Sequence, residues 1–194
     1  MLLVVILSVA SSTRVAAAEE RRTGFFDLYG GPTGLLESDV PHWKFADVTA
    51  SVGARAGLWF HEHWAVSFRT WYFQTDVKQR ETSPSDLAFL GLSFEILGRW
   101  PLTPRWALYG SLGPALVVNT LDLQRSDRAG EDDARSLSPG VSAGAGIEAR
   151  IVGPLSAFSE VHSGLAYPSF RFSDRTISPR LLHLDAVVGL RVGF

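Results

Sequence analysis

The chain has 194 residues, 46% of them hydrophobic, with a formal net charge of −2 and no cysteine. The length suits one domain. The small net charge excludes a strongly basic surface for nucleic acid, and the absence of thiols excludes disulfides, thiol catalysis and cysteine-ligated zinc. No stretch reaches the roughly 18 consecutive apolar residues of a membrane-spanning helix. Hydrophobic content broken into short alternating stretches is compatible with either a β-sandwich or a β-barrel.

The first eighteen residues have the composition of an export signal. Residues 2–10 form a short apolar block, and the alanines at 16–18 form a small-residue cleavage site before the charged segment 19–22. No Lys or Arg precedes the apolar block, which departs from the usual signal pattern. We expect residues 1–18 to be cleaved and residues 19–194 to form one outer-membrane β-barrel domain.

Alternation of apolar and polar residues predicts eight strands, because successive side chains of a strand point to opposite faces. The predicted strands are residues 23–31, 45–60, 64–75, 86–100, 106–119, 140–152, 155–167 and 181–194. In the last strand one face is wholly apolar, whereas the other carries His183, Asp185 and Arg191. A soluble strand turns its apolar face inward and a membrane barrel strand turns it toward lipid, so alternation alone leaves both folds open.

The connections between the predicted strands alternate in length. Those after strands two, four and six are short, whereas the other connections are long and polar, at residues 32–44, 76–85, 120–139 and 168–180. Short periplasmic turns and long external loops are typical of outer-membrane barrels, and a soluble sandwich has no reason to separate its loops by length. The pattern therefore favours a transmembrane barrel with both termini on the periplasmic side.

Large aromatic residues mark one predicted membrane interface. Amphipathic rings favour the boundary between membrane and water. We expect an aromatic girdle beside the short turns and at the chain end, formed by Trp59, Trp64, Trp100, Trp106 and Phe194. The alternative is that these rings cap a soluble core at the strand ends.

Three segments carry a resemblance to a known family: FDLYGG at residues 26–31, YGSLGPA at 109–115 and VVGLRVGF at 187–194. With them, the chain resembles the small eight-stranded outer-membrane β-barrels of the OmpA and OmpX type. The resemblance implies an all-β, antiparallel up-and-down barrel in a bacterial outer membrane, surrounded by lipid and lipopolysaccharide. It also implies that the barrel assembly machinery reads the C-terminal strand and its Phe194. The resemblance indicates the architecture and says little about function, because one fold serves many roles.

Seven charged residues are predicted to face the lumen at one level, near the periplasmic end of their strands: Asp27, Arg55, Arg69, Glu95, Glu148, Glu160 and Arg191. Arginines alternate with carboxylates, which predicts the pairs Asp27–Arg55, Arg69–Glu95 and Glu160–Arg191. Eight strands enclose a space that side chains just fill, and unpaired buried charges are costly. We expect a structural belt that holds the barrel closed, with a gate that opens by partner exchange as the alternative.

Two other groups of polar residues point weakly to chemistry. His61-Glu62-His63 spaces two imidazoles as some metal sites do, but it occupies a tight turn without a third identified ligand, and no metal or cofactor is expected. His162 and Ser163 resemble the His and Ser of lipid A deacylase barrels, which lie two residues apart on the lipid-facing wall. Here they are adjacent, so a regular strand places them on opposite faces and prevents a shared proton.

The expected function is non-enzymatic. We expect a monomeric outer-membrane barrel with a closed, charged lumen and long extracellular loops, acting in envelope structure or surface interaction and without a nucleic-acid partner. Two alternatives stay open at this stage: a lipid A-modifying hydrolase, and a narrow gated small-solute channel.

Overall fold

The computed structural model describes residues 23–38, 44–45, 48–78, 85–122, 134–171 and 176–194, and the predicted export signal lies outside them. Eight long strands, numbered one to eight here, span Gly24–Ser38, Thr49–His61, Trp64–Lys78, Ser85–Pro101, Trp106–Asp122, Ala134–Val152, Leu155–Ala166 and Leu181–Gly193. Two-residue strands occupy Lys44–Phe45, Phe170–Arg171 and Thr176–Ile177. Among the described residues, no helix is long and apolar enough to cross a bilayer.

The sheet closes on itself. Each long strand pairs antiparallel with its neighbours in sequence, and strand one also pairs with strand eight. Asp27 therefore lies opposite Arg55 of strand two on one side and opposite Arg191 of strand eight on the other. Closure satisfies the backbone groups that a sheet edge would leave unpaired. The predicted fold class, an eight-stranded antiparallel up-and-down barrel, is confirmed.

Strands one and six are longer than the sequence predicts. Strand one continues to Ser38 with Pro32 opposite Ala50, and strand six begins at Ala134 with Pro139 opposite Leu116. The prediction ended strand one at residue 31 and began strand six at residue 140, so both prolines fell in the long connections. Proline has no N–H to donate to the ladder. One missing N–H removes one ladder bond, however, and the flanking residues keep theirs. The predicted loops at 32–44 and 120–139 are correspondingly too long.

The outward face of the barrel is apolar on every strand. In strand eight, Val188 is 64% exposed whereas its neighbour Val187 is 1% exposed, which is the two-residue period of a strand. Side chains more than half exposed include Leu28, Val52, Phe68, Phe94, Leu112, Val141, Val161 and Leu190. Soluble proteins rarely expose continuous apolar surface on this scale, and a lipid-facing apolar band is the arrangement of a transmembrane barrel.

Four of the five predicted girdle residues face outward at the short-turn end of the barrel: Trp64, Trp100, Trp106 and Phe194. The rings of Trp64 and Trp100 meet edge to face with their centroids 5.9 Å apart. The girdle prediction is wrong for Trp59, which packs inward with its ring centroid 5.5 Å from that of Phe25. Trp59 precedes the outward-facing Phe60, and adjacent strand residues point to opposite faces.

Candidate functional site

A row of charged side chains crosses the inner wall along four adjacent strands. Arg191, Asp27, Arg55 and Arg69 lie directly opposite one another in the registers of strands eight, one, two and three. All four side chains are almost fully buried. Three arginines in one row repel each other, so carboxylates from the row and from the facing wall must compensate them.

Asp27 binds two of these arginines. Its Oδ2 accepts a hydrogen bond from Arg55 Nε at 2.8 Å, and its Oδ1 accepts one from Arg191 Nε at 2.7 Å. Arg191 Nη2 donates a further bond to Oδ2 at 2.8 Å, which makes that contact bidentate. Asp27 thereby links strands eight, one and two at the level of the belt.

Glu160 reaches across the lumen from strand seven. Its carboxylate accepts a hydrogen bond from Arg69 on strand three, which is the strand diametrically opposite in a ring of eight. It also lies 3.1 Å from Arg55 Nη2 and accepts a 2.8 Å hydrogen bond from the Tyr109 hydroxyl. These contacts join opposite walls, so Glu160 occupies the centre of the lumen.

Glu148 adds a fourth arginine to the belt. Its Oε2 accepts hydrogen bonds from Arg191 Nη1 at 2.7 Å and from Arg99 Nε at 3.3 Å. Arg99 was not among the predicted belt residues, and it lies toward the short-turn end with its side chain 24% exposed. With Arg99, the belt holds four guanidinium groups and four carboxylates, and its formal charge is zero.

Glu95 accepts its hydrogen bonds from hydroxyl groups and lies farther from the arginines. Its Oε1 accepts hydrogen bonds from Ser93 at 2.8 Å and from Ser142 at 2.9 Å. Its Oε2 lies 4.0 Å from Arg55 Nη1, at the limit of an ion pair. Glu95 is fully buried, so these neighbours take the place of water around its charge.

The structure forms one of the three predicted ion pairs, Asp27–Arg55. Arg69 bonds Glu160 instead of Glu95, and Arg191 bonds Asp27 and Glu148 instead of Glu160. Glu160 lies opposite Val187, four residues before Arg191 on strand eight, so strand stagger places it above that arginine. A narrow lumen also brings the long arginine chains within reach of the far wall.

Aromatic rings fill the lumen around the belt. The guanidinium carbon of Arg191 lies 4.5 Å from the ring centre of Phe25, and that of Arg69 lies 4.6 Å from the ring centre of Tyr29. Arg69 Nε also donates a 2.8 Å hydrogen bond to the Tyr29 hydroxyl. Stacking on ring faces stabilises a cation that has lost its water. The buried cluster on this side comprises Phe25, Tyr29, Ala65, Leu97, Tyr109, Phe158 and Val187.

Inward-facing glycines make room for these rings. A Cβ at Gly91 would lie 2.0 Å from the Trp71 ring, and one at Gly164 would lie 2.2 Å from the His183 ring. Both rings come from the neighbouring strand and lie against the glycine backbone. At these two positions a side chain larger than hydrogen would displace the ring.

A second buried polar cluster lies on the loop side of the belt, formed by His162 of strand seven with His183 and Asp185 of strand eight. These residues are 0%, 4% and 1% exposed. His162 Nδ1 lies 3.0 Å from Asp185 Oδ2, and His183 Nε2 lies 3.6 Å from the same oxygen. The Thr33 hydroxyl donates to the other oxygen, Oδ1. The sequence alone did not predict this cluster, although His183 and Asp185 stand two residues apart on the polar face of strand eight.

His162 and Ser163 lie on opposite faces of strand seven, as predicted. His162 is fully buried in the lumen, whereas Ser163 is half-buried on the outer side and donates a 3.0 Å hydrogen bond to the His183 backbone carbonyl. A hydrolase requires its base within hydrogen-bond reach of its nucleophile. This pair therefore does not form the arrangement that the deacylase alternative needs.

The turn with His61, Glu62 and His63 lies at the short-turn end of the barrel. One donor atom from each residue lies within 4.8 Å of the others, and His63 Nδ1 is 3.8 Å from Glu62 Oε1. The Glu62 side chain is 77% exposed, so solvent surrounds this group. Exposed charged groups at a turn are common, although His63 Nδ1 is itself buried and has no hydrogen-bond partner among the described residues.

Several solved structures of outer-membrane proteins have a similar fold. Neisserial surface protein A is 13% identical with a TM-score of 0.62, covering 88% of this chain and 97% of that one. OprG from Pseudomonas aeruginosa is 16% identical with a TM-score of 0.55, covering 89% and 97%. This chain has the fold of the eight-stranded outer-membrane β-barrels. A major outer membrane protein from Thermus thermophilus is also similar, at 10% identity and a TM-score of 0.58, covering 88% and 99%.

The similarity between this chain and the solved structures is a similarity of fold. No protein-family model matches the sequence, and no curated protein matches it. At 10–16% identity to the solved structures, the comparison establishes the fold. The fold and the apolar outer wall are those of an outer-membrane protein, and the role of the barrel has to be argued from its lumen and its surface.

Proposed function

We propose that this protein is a closed outer-membrane barrel that acts as a component of the envelope or through its external loops. One observation carries this proposal: buried side chains occupy successive levels along the described part of the lumen. The neutral belt with the aromatic rings around it, the His–Asp cluster and an apolar layer follow one another along the barrel. A solute would have to displace all three.

An apolar layer on the loop side occupies the upper lumen. The rings of Phe73 and Phe89 stack with their centroids 4.5 Å apart, and Phe170, from the segment between strands seven and eight, is fully buried against this layer. The layer also contains Trp71, Leu87, Ala115, Val117, Leu121, Ala166 and Leu181. Close packing of large side chains leaves no room for a hydrated ion.

The belt acts in this proposal as a structural plug. Its charges balance, and seven of its eight side chains are almost fully buried. A gate would have to separate Glu160 from Arg55 and Arg69 inside a medium of low dielectric constant, which leaves uncompensated charge. Pairing across the lumen therefore supports a fixed closure of the barrel.

The outer surface suits lipid on all sides, which supports a monomer in a lipid bilayer with lipopolysaccharide around it. Exposed apolar side chains occur on all eight strands. Arg171 and Arg180 are exposed at the loop end, where guanidinium groups suit the phosphates of lipopolysaccharide. The alternation of apolar and polar residues in strand eight supports recognition by the barrel assembly machinery before strand eight pairs with strand one.

Conductance across a planar lipid bilayer tests the closed lumen. We expect the folded wild-type barrel to give no steady conductance, because the plug contains no hydrated path. Folding is checked by the different electrophoretic migration of folded and heated protein, so that an absence of conductance is counted only for folded barrels. Uniform, persistent conductance steps from the wild type would contradict this proposal and favour the small-solute channel.

A further inference from the structure

We propose that His162, His183 and Asp185 bind one divalent transition-metal ion of the zinc class inside the lumen. The site is separate from the belt and goes beyond the proposed envelope role. Its three side chains come from two adjacent strands, with His162 directly opposite Asp185 in the register. Side chains on rigid paired strands hold metal ligands more accurately than side chains on loops.

The distances between the donor atoms suit a metal ion. Asp185 Oδ2 lies 3.0 Å from His162 Nδ1 and 3.6 Å from His183 Nε2. In a tetrahedral zinc site with bonds of about 2.0–2.1 Å, neighbouring ligand atoms are roughly 3.3–3.4 Å apart. The two distances fall on either side of that separation. One donor atom from each residue lies within 4.8 Å of the other two, so small side-chain movements close the site.

The carboxylate of the cluster, Asp185, has no guanidinium or ammonium group paired with it among the described residues. Each arginine of the belt bonds a belt carboxylate, and Asp185 forms no ion pair with any described Arg or Lys. Its described partners are the two imidazoles and the Thr33 hydroxyl. A divalent ion would compensate the buried carboxylate, and the bond from Thr33 would orient it as outer partners orient metal ligands.

An unpartnered imidazole nitrogen provides a second, independent observation. His183 Nε2 is buried and has no hydrogen-bond partner among the described residues. His183 Nε2 is the atom that faces Asp185 Oδ2. A buried polar atom without a partner is unfavourable, and a metal bond to that nitrogen would remove this cost.

The surroundings hold the two imidazole rings in place. The Trp71 ring centroid lies 5.3 Å from that of His162 and 5.8 Å from that of His183. Phe73 contacts His183 from another side with its centroid at 5.3 Å, and Gly164 leaves the space that the His183 ring occupies. The rings are thus fixed in an apolar enclosure before any ion binds.

The donor set defines the class of metal. Two imidazole nitrogens and one carboxylate suit Zn²⁺, Co²⁺, Ni²⁺ or Cu²⁺. Mg²⁺ and Ca²⁺ prefer six or more oxygen ligands and are disfavoured here. Three protein ligands leave a fourth position for water or another small ligand.

The test uses the folded full-length barrel in detergent, purified without a histidine tag and treated with a chelator. The exposed turn also carries imidazoles, so His61→Ala and His63→Ala are combined to give the background protein. Titration with Zn²⁺ by calorimetry, and with Co²⁺ by visible absorption, should show one ion per chain in this background. His183→Gln and Asp185→Asn should each weaken binding at least about tenfold, and excess Mg²⁺ should not compete.

Fluorescence provides a readout that does not rely on these ligand variants folding. Cu²⁺ bound beside Trp71 should quench part of the tryptophan emission of the background protein. Trp71→Phe should lose that quenching and still bind one Zn²⁺. The proposal is overturned if the background protein binds no metal, if His183→Gln and Asp185→Asn bind as tightly as the background, or if Mg²⁺ competes equally.

Discussion

Replacing Glu160 with Gln is expected to lower the free energy of unfolding by about 3–5 kcal/mol. The substitution keeps the shape of the side chain and removes the charge that faces Arg55 and Arg69. Both guanidinium groups would remain fully buried in the lumen, where water cannot replace the lost partner. The loss is large because the remaining charge is left uncompensated, and not because the original pair was strongly stabilising.

Unfolding titrations with urea in lipid vesicles measure this difference. The matched control is Glu62→Gln in the exposed turn, where the same chemical change should alter the free energy of unfolding by less than about 0.5 kcal/mol. If Glu160→Gln unfolds at the same urea concentration as the control, the belt does not contribute to closure in the way proposed.

Replacing Val188 with Arg is expected to cost about 2–4 kcal/mol of folding free energy, because this outward position lies near the middle of the lipid-facing wall. Val188 is 64% exposed and pairs with residues in the central part of strands one and seven. Neither lipid nor the filled lumen offers a solvated place for a guanidinium group there.

Val152→Arg is the matched control for depth. Val152 is 67% exposed and ends strand six at the short-turn side, where the side chain can reach the interface. The same substitution there should cost about 0–1 kcal/mol. Vesicle unfolding titrations compare the two variants directly, and equal costs at both positions would indicate that the outer wall does not face lipid.

Much of the fold could be predicted because the two-residue period of a strand is visible in the sequence as alternating apolar and polar residues. The alternation that separates Val188 from Val187 also separates His162 from Ser163, and the structure places each on the expected face. The alternation of loop length correctly indicated which strand ends carry the tight turns. The ends of strands one and six were not predicted, because the pairing continues on both sides of Pro32 and Pro139 although each lacks an N–H for the ladder.

The contacts inside the lumen were much harder to predict. A sequence pattern assigns Glu160 and Arg69 to the inner face, but only the stagger and curvature of the closed sheet bring them together across the barrel. The His–Asp cluster was missed for the same reason, since His162 meets Asp185 only when the register of strands seven and eight is known. Spacing along one strand does not contain that information.

The closed lumen is tested most directly by thiol accessibility. The chain has no cysteine, so Ser111→Cys and Ser156→Cys each place a single thiol at a position that is 7% and 1% exposed, respectively, on the lumen face. Ser178→Cys, in the exposed segment before strand eight, is the control. A small charged methanethiosulfonate reagent should modify Ser178→Cys at once and leave both lumen thiols unmodified until the barrel is unfolded. Rapid modification of the lumen thiols in the folded barrel would show a water-filled passage and contradict the proposal of a closed lumen.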